Sequence, residues 1–182
     1  MKYPSPQDIE EMRARGYDRS VIEEATLLSK RWFTKEALKK QIQQAFSGVN
    51  LGTGVGLWEA QGLDGYASKD KCAEYREKDE KLDWQTLRVE ALNKCNSSPS
   101  FFDAEGMRFH LPAYLIADLN GEYEFGMAFT LTQSSNLGEQ FSLLNDEQRA
   151  AVRSYLQFIE HEPEYSFERE HIQNALANFW AE

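Results

Sequence analysis

The sequence predicts a mainly α-helical fold, arranged as a single compact domain of about six to eight helices. Apolar residues recur at three- and four-residue spacing in several stretches, and residues typical of helix starts precede these stretches. With 182 residues, of which 41% are hydrophobic and 13% aromatic, the chain is long enough to bury one sizeable core. Alternation typical of strands is confined to residues 107–111 and 123–131, which predicts at most a small β-ribbon.

The N-terminal part carries the clearest helix signals. Residues 5–8 (Ser-Pro-Gln-Asp) have the pattern of a helix start, with a capping serine, a proline in the first turn and an acid at the third position. Gly16 ends this helix, and Asp18 begins a second helix that runs to about residue 32. Thr34 is predicted to cap a third helix, which Gly48 ends.

The central part combines a glycine-rich segment with a charged one. Residues 48–56 predict a glycine-rich turn, and a short helix follows over residues 57–63. Residues 69–81 are mostly charged, which predicts an exposed helix with few contacts to the core. Pro112 is expected to open a helical turn over residues 112–119, between the two strand-like stretches.

Two helices are predicted near the C-terminus. Asn145 with Gln148 gives a capping pair, and the residues that follow form one apolar face. Pro163 ends that helix, and Ser166 is expected to cap a last helix over residues 166–181.

Charge is distributed unevenly along the chain. The net charge is −10, and residues 96–182 account for all of it, with four arginines against fourteen acidic residues. Lysine does not occur after Lys94. Such a field repels nucleic acid and anionic lipid and accelerates encounters with basic proteins. The negative charge therefore serves either to keep the protein soluble or to attract a specific basic protein as partner, and we expect neither nucleic acid nor a membrane as partner.

Apolar runs, cysteines and histidines indicate where the protein is located and whether it binds a cofactor or metal. The chain starts Met-Lys-Tyr-Pro-Ser-Pro, which contains no apolar run of the kind found in a signal peptide. No apolar run elsewhere approaches the length of a membrane span, and both observations favour a soluble, cytoplasmic protein. Cys72 and Cys95 are the only cysteines, and their spacing fits neither a redox pair nor a zinc half-site. His161 and His171 lack the spacing of a metal-binding pair on one helix. No cofactor and no metal site is predicted.

One short segment gathers side chains suited to catalysis. Asp103, Glu105, Arg108 and His110 lie within eight residues, among aromatic residues. In a cleft, either carboxylate would serve as a base, the guanidinium would hold an anionic substrate and the imidazole would transfer a proton. The structural alternative is that Asp103 caps a turn and Arg108 forms an ion pair. The glycine run at residues 52–56 lacks the Lys-Ser/Thr of a phosphate-binding loop, and a turn that lets two helices pack closely explains it better.

Parts of the chain resemble a bacterial domain family of unknown function. The stretches that carry this resemblance are IQQAFSGVNLGTGVGLWEAQGLDGY at 42–66, Trp84, FFDAEGMRFHLPAYLIADL at 101–119 and FSLLNDEQRAAVRSYLQF at 141–158. The most specific piece is F-x-D-A-E-G-x-R-F-x-L-P-A-Y, at residues 101–114. The resemblance covers residues 37–160 as a family-like core and leaves residues 1–34 as an N-terminal helical extension. It implies a shared fold and importance of Asp103, Arg108, Pro112 and Tyr114, but no activity.

Two functions from different classes fit these observations. The acidic C-terminal half favours a non-catalytic protein-binding domain, an immunity-type or regulatory protein that engages a basic partner. The candidate partner-binding residues are Glu160, Glu162, Glu164, Glu168 and Glu170. The alternative is a small hydrolase or transferase that uses Asp103, Glu105, Arg108 and His110. A third class, a structural or assembly subunit, would be indicated by a large exposed apolar patch.

Overall fold

The structure is a computed structural model that describes residues 3–181. Within that range it is helical throughout and contains no strand. The α-helices are α1 (Pro6–Ala14), α2 (Arg19–Ala45), α3 (Leu57–Asp64), α4 (Lys69–Lys78), α5 (Val89–Lys94), α6 (Ala104–Asn120), α7 (Ala128–Thr132), α8 (Leu137–Gln140), α9 (Asp146–Ile159) and α10 (Arg169–Ala177). Single 3₁₀ turns lie at Trp84–Thr86, Ser98–Ser100 and Pro163–Tyr165. The mainly α class is confirmed, and the ten α-helices of the described residues exceed the predicted six to eight.

The predicted β-ribbon is wrong at both of its stretches. Residues 107–111 lie inside α6, and residues 123–131 form a loop that leads into α7. Twelve of the seventeen residues of α6 are buried, so this helix has no polar face and its periodicity of 3.6 is hidden. Pro112 lies in the interior of α6 rather than at a helix start, and its ring nitrogen cannot donate to the carbonyl of Arg108.

The second and third predicted helices form one continuous helix, α2. The hydroxyl of Thr34 does not cap a helix start, because it donates to the carbonyl of Lys30 one turn earlier at 3.1 Å. Such a bond within the helix competes with capping and leaves the helix unbroken. Gly48 lies beyond the end of α2 with φ of +72°, as expected for a glycine that follows a helix.

Several predicted helix ends are confirmed. Ser5 and Asp8 form a reciprocal capping box at the start of α1, and Asn145 and Gln148 form another at the start of α9. The last helix is an exception, because α10 begins at Arg169, after a 3₁₀ turn, and Ser166 does not cap it.

The core is built around α6. It packs with α2 and α8, and with the 3₁₀ turn that contains Trp84, and α2 packs in turn on α9. The indole of Trp84 donates to the carbonyl of Phe46 at 2.9 Å. The second buried tryptophan, Trp180, follows α10 and donates to the carbonyl of Leu131 at 2.8 Å. Cys72 and Cys95 are both buried and free. Among the described residues, no helix has both the length and the apolar character needed to cross a lipid bilayer.

Candidate functional site

Asp103 and Glu105 hold the glycine-rich loop against the start of α6. Asp103 is the N-cap of α6, and its Oδ1 accepts hydrogen bonds from the amides of Gly106 at 2.8 Å and Val55 at 3.0 Å. Oε2 of Glu105 accepts from the amide and the hydroxyl of Thr53 at 2.9 and 2.7 Å. Both carboxylates are therefore bound to the loop rather than directed at a cleft.

The loop approaches α6 closely enough to require glycine. A Cβ built on Gly54 would lie 2.5 Å from the amide nitrogen of Gly106 and 2.6 Å from Cβ of Glu105. A Cβ built on Gly106 would lie 2.5 Å from the carbonyl oxygen of Val55. These glycines allow backbone to pack on backbone, in agreement with the close-packing interpretation of the glycine run.

His110 is enclosed by the core. Its side chain is 0% exposed, its ring stacks on Phe102 at 4.3 Å, and its Nδ1 lies 2.7 Å from the carbonyl oxygen of Gly106. Nε2 has no hydrogen-bond partner among the described residues. Burial lowers the pKa of His110 to about 4, and the contact with the Gly106 carbonyl opposes that shift. A neutral imidazole without access to solvent cannot exchange protons with a bound substrate in this arrangement.

Arg108 is directed away from the other three candidates. It lines a cavity of about 410 Å³ at the end of α2 and the start of α9, and neither Asp103, Glu105 nor His110 lines that cavity. The four candidates for catalysis are thus neighbours in sequence but do not converge on one cleft. The expected ion pair of Arg108 does not form within residues 3–181.

The five candidate partner-binding glutamates have different environments. Glu162 is 2% exposed, pairs with Arg31 and accepts a hydrogen bond from the hydroxyl of Tyr3. Glu160 accepts a hydrogen bond from Gln173 at 2.8 Å, and Glu170 is exposed in the first turn of α10. Glu164 and Glu168 line a cleft. The prediction that Glu162 faces a partner therefore conflicts with its burial.

The cleft that Glu164 and Glu168 line has a volume of about 310 Å³, and we call it the acidic cleft. It lies between the end of α6, the loop before α7 and the segment that joins α9 to α10. Its lining residues are Asp118, Gly121, Tyr123, Glu124, Phe125, Gly126, Glu164, Tyr165 and Glu168. Four of them are acidic and none is basic, so the cleft has a negative potential.

Two glycines shape the wall of the acidic cleft. Gly121 ends α6 in the left-handed conformation with φ of +71°, which turns the chain away from the helix axis. Gly126 has φ of +69°, and a Cβ there would lie 2.8 Å from the hydroxyl oxygen of Tyr165. Phe125, between them, is 57% exposed at the rim. The loop thus presents an aromatic ring to solvent beside the carboxylates.

Asp118 forms the floor of the acidic cleft. Its side chain is buried, and its Oδ2 accepts hydrogen bonds from the hydroxyls of Tyr155 and Tyr165. Burial raises the pKa of Asp118, although the two phenol donors act in the opposite direction. Oε2 of Glu168 is also shielded from solvent and has no partner among the described residues. A cation that enters the cleft would gain favourable interactions with both groups.

Of the residues that line this cleft, the sequence predicts only Glu164 and Glu168 as functional residues. Asp118 carried one signal, because it is the only carboxylate in the otherwise apolar stretch 109–119. A charge in such a stretch indicates a buried, partnered group. Its partner Tyr165 lies 47 residues away, and no spacing rule connects the two. Within residues 3–181, no group of three or more His, Cys, Asp or Glu side chains is placed to hold a metal ion.

The comparisons with known proteins give a family but no activity. A family model matches residues 34–182, and its description is a family of unknown function, DUF6714. Because the match covers most of the chain, the protein belongs to this family. No curated protein and no solved structure matches the chain.

Proposed function

We propose that this member of DUF6714 is a non-catalytic protein-binding domain, of the immunity or regulatory type, that acts in the cytoplasm on a basic partner. The acidic cleft is the part of the surface that would receive a lysine or arginine side chain of that partner. The same charge disfavours nucleic acid and anionic membranes as partners.

The observation that carries this proposal is the composition of the acidic cleft. Its four acidic lining residues come from three separate segments of the chain, and no lysine or arginine lines it. With about 310 Å³, it has the size of the smallest ligand pockets, which suits one inserted side chain better than a folded segment.

The aromatic residues of the cleft add to its fit for a cationic side chain. The rings of Tyr123 and Phe125 lie 5.8 Å apart, and Phe125 is exposed at the rim. A guanidinium or ammonium group is attracted by aromatic faces as well as by carboxylates.

The charge of the whole C-terminal half supports the same partner class. Residues 96–182 carry a net charge of −10, which produces long-range attraction toward a basic surface. Such attraction accelerates association more than it slows dissociation, and rapid association is what an antidote to a basic toxin requires.

The hydrolase or transferase alternative has less support. Asp103 and Glu105 are hydrogen-bonded to the glycine-rich loop, and His110 is fully buried. A shared substrate site would require all three groups and Arg108 to reach one reacting atom. The arrangement of the cluster therefore favours a structural role for the acids and the histidine.

The test is to isolate the partner and to measure its binding with purified components. The tagged protein is used for pull-downs from its native host at low and moderate salt, and stoichiometric partners are identified by mass spectrometry. The association rate is then measured for the native protein and for the double variant Glu164→Gln/Glu168→Gln. We expect a basic partner, and an association rate that falls as salt rises and falls further in the variant.

The matched control is Glu24→Gln/Glu77→Gln, which removes the same charge from exposed positions on α2 and α4. It should bind the partner almost as fast as the native protein. A partner whose association rate is independent of salt, or equal for the cleft and control variants, would contradict the proposal.

A further inference from the structure

Arg108 differs from every other arginine of the chain. The other nine arginines each make a hydrogen bond or an ion pair within the described residues. Arg108 makes neither, and its Nε is shielded from solvent without a partner. The contrast is sharpest in the C-terminal half, where Arg149 and Arg169 donate to main-chain carbonyls at 2.6 and 2.9 Å. Arg108 is thus the arginine whose guanidinium makes no polar contact within the described residues.

The unpartnered guanidinium lies in a cavity with other unused polar groups. The cavity of about 410 Å³ is lined mainly by polar residues, and Arg108 is its only basic one. Ser47 and Asn50 line it too, and neither side chain makes a hydrogen bond within residues 3–181. A single cation surrounded by hydroxyl and amide groups is suited to binding an anion.

We propose that this cavity is a binding site for a small anion, a carboxylate or a phosphate, whose charge is recognised by the guanidinium of Arg108. The planar guanidinium offers two parallel N–H donors that match two oxygens of either group. The neutral groups of Ser47 and Asn50 are placed to bind further polar atoms of the ligand. The site shares no residue with the acidic cleft, so either proposal can fail alone.

Glu147 sets the strength of binding. It is the only acidic residue that lines the cavity, and it lies in the first turn of α9, two residues after the capping residue Asn145. Its charge opposes an incoming anion and offsets the positive end of the helix dipole. Replacing it by a neutral residue of the same size should therefore strengthen anion binding.

The test follows the Nε–Hε signals of the ten arginines in ¹⁵N-labelled protein by NMR. Sodium phosphate and sodium succinate are titrated separately at constant ionic strength, with sodium chloride as reference. We expect the Arg108 signal to shift with saturation while the signal of exposed Arg88 stays in place. Because this measurement uses the native chain, it does not depend on the folding of any variant. Saturation by phosphate alone or by succinate alone would identify which anion class the site prefers.

Variants then distinguish anion binding by the guanidinium of Arg108 from a general effect of positive charge. Arg108→Gln should weaken binding of the effective anion at least about tenfold, since a charge-assisted hydrogen bond is lost. Arg108→Lys should bind with intermediate affinity, Arg88→Gln should bind as the native protein does, and Glu147→Gln should bind more tightly. If neither anion gives a saturable shift, or if Arg108→Gln binds as well as Arg88→Gln, the proposal is wrong.

Discussion

Replacing Asp103 by alanine should destabilise the fold through two hydrogen bonds that share one oxygen. Oδ1 of Asp103 accepts from the amide of Gly106, the capping bond of α6, and from the amide of Val55 in the glycine-rich loop. Alanine removes the acceptor for both amides. The loop and the central helix would then lose one of their polar connections, while the bonds from Thr53 to Glu105 remain.

The magnitude follows from these two bonds. Loss of an N-cap side chain destabilises by about 1 kcal/mol. The bond to Val55 has an ionised acceptor and contributes about 1.5 kcal/mol, the low end of its class, because Asp103 is exposed. The sum is about 2–3 kcal/mol, which for a chain of this size lowers the Tm by about 4–12 °C.

The assay is urea unfolding, followed by the fluorescence of the buried Trp84 and Trp180. Asp103→Asn retains an acceptor oxygen and should lose less than about 0.5 kcal/mol, since asparagine caps as well as aspartate. Glu24→Ala, on the exposed face of α2, controls for removal of a charge. If Asp103→Ala unfolds at the same urea concentration as Glu24→Ala, or if Asp103→Asn is as destabilised as Asp103→Ala, this reasoning is refuted.

Three further predictions concern stability. Gly54→Ala places a Cβ 2.5 Å from a backbone nitrogen and should destabilise by about 3 kcal/mol in urea unfolding, whereas Gly138→Ala, with open space at its Cβ, should not destabilise. The pKa of His110 is lowered to about 4, so the unfolded chain binds more protons below pH 6.5. The free energy of unfolding should fall by up to about 3 kcal/mol between pH 6.5 and 4, and by less in His110→Gln, as pH-dependent unfolding would show. Glu162→Ala removes the ion-pair partner of Arg31 and should lower the free energy of unfolding by about 2–3 kcal/mol. Glu170→Ala, at an exposed position, should leave the Tm within about 1 °C of the native value. Equal Tm values for the two variants would contradict the assigned ion pair.

The features that the sequence predicted well are those decided within one or two turns of helix. The capping boxes of α1 and α9 depend on residues three positions apart, and both form as expected. At α10 the local signal of Ser166 is wrong, because Ser166 ends the 3₁₀ turn Pro163–Tyr165 and the helix begins only at Arg169. The capping signal of Thr34 failed because its hydroxyl found an acceptor in the preceding turn of α2.

The first half of the central helix has the sequence pattern of a strand, at residues 107–111, for a related reason. Periodicity identifies a helix by the contrast between an apolar face and a polar one. Neighbouring elements cover α6 along most of its length, so an apolar residue is acceptable at almost every position. Alternation of Met107, Phe109 and Leu111 with other residues then arises without a sheet. The acidic cleft was missed likewise, because Asp118 and Tyr165 meet only through tertiary packing.

Some acidic residues of the C-terminal half stabilise the fold and others face solvent, and this difference bears on the proposed function. The family match begins at residue 34, inside the continuous helix α2, so the segment before it is structurally joined to the family region. Arg31 lies before that boundary, pairs with Glu162 and places its guanidinium 4.3 Å from the ring of Phe158. Glu162 thus holds the N-terminal segment against α9, and its charge is compensated. The net charge of the C-terminal half therefore overstates the charge available to a partner, and substitutions at Glu162 and in the acidic cleft should separate stability from binding.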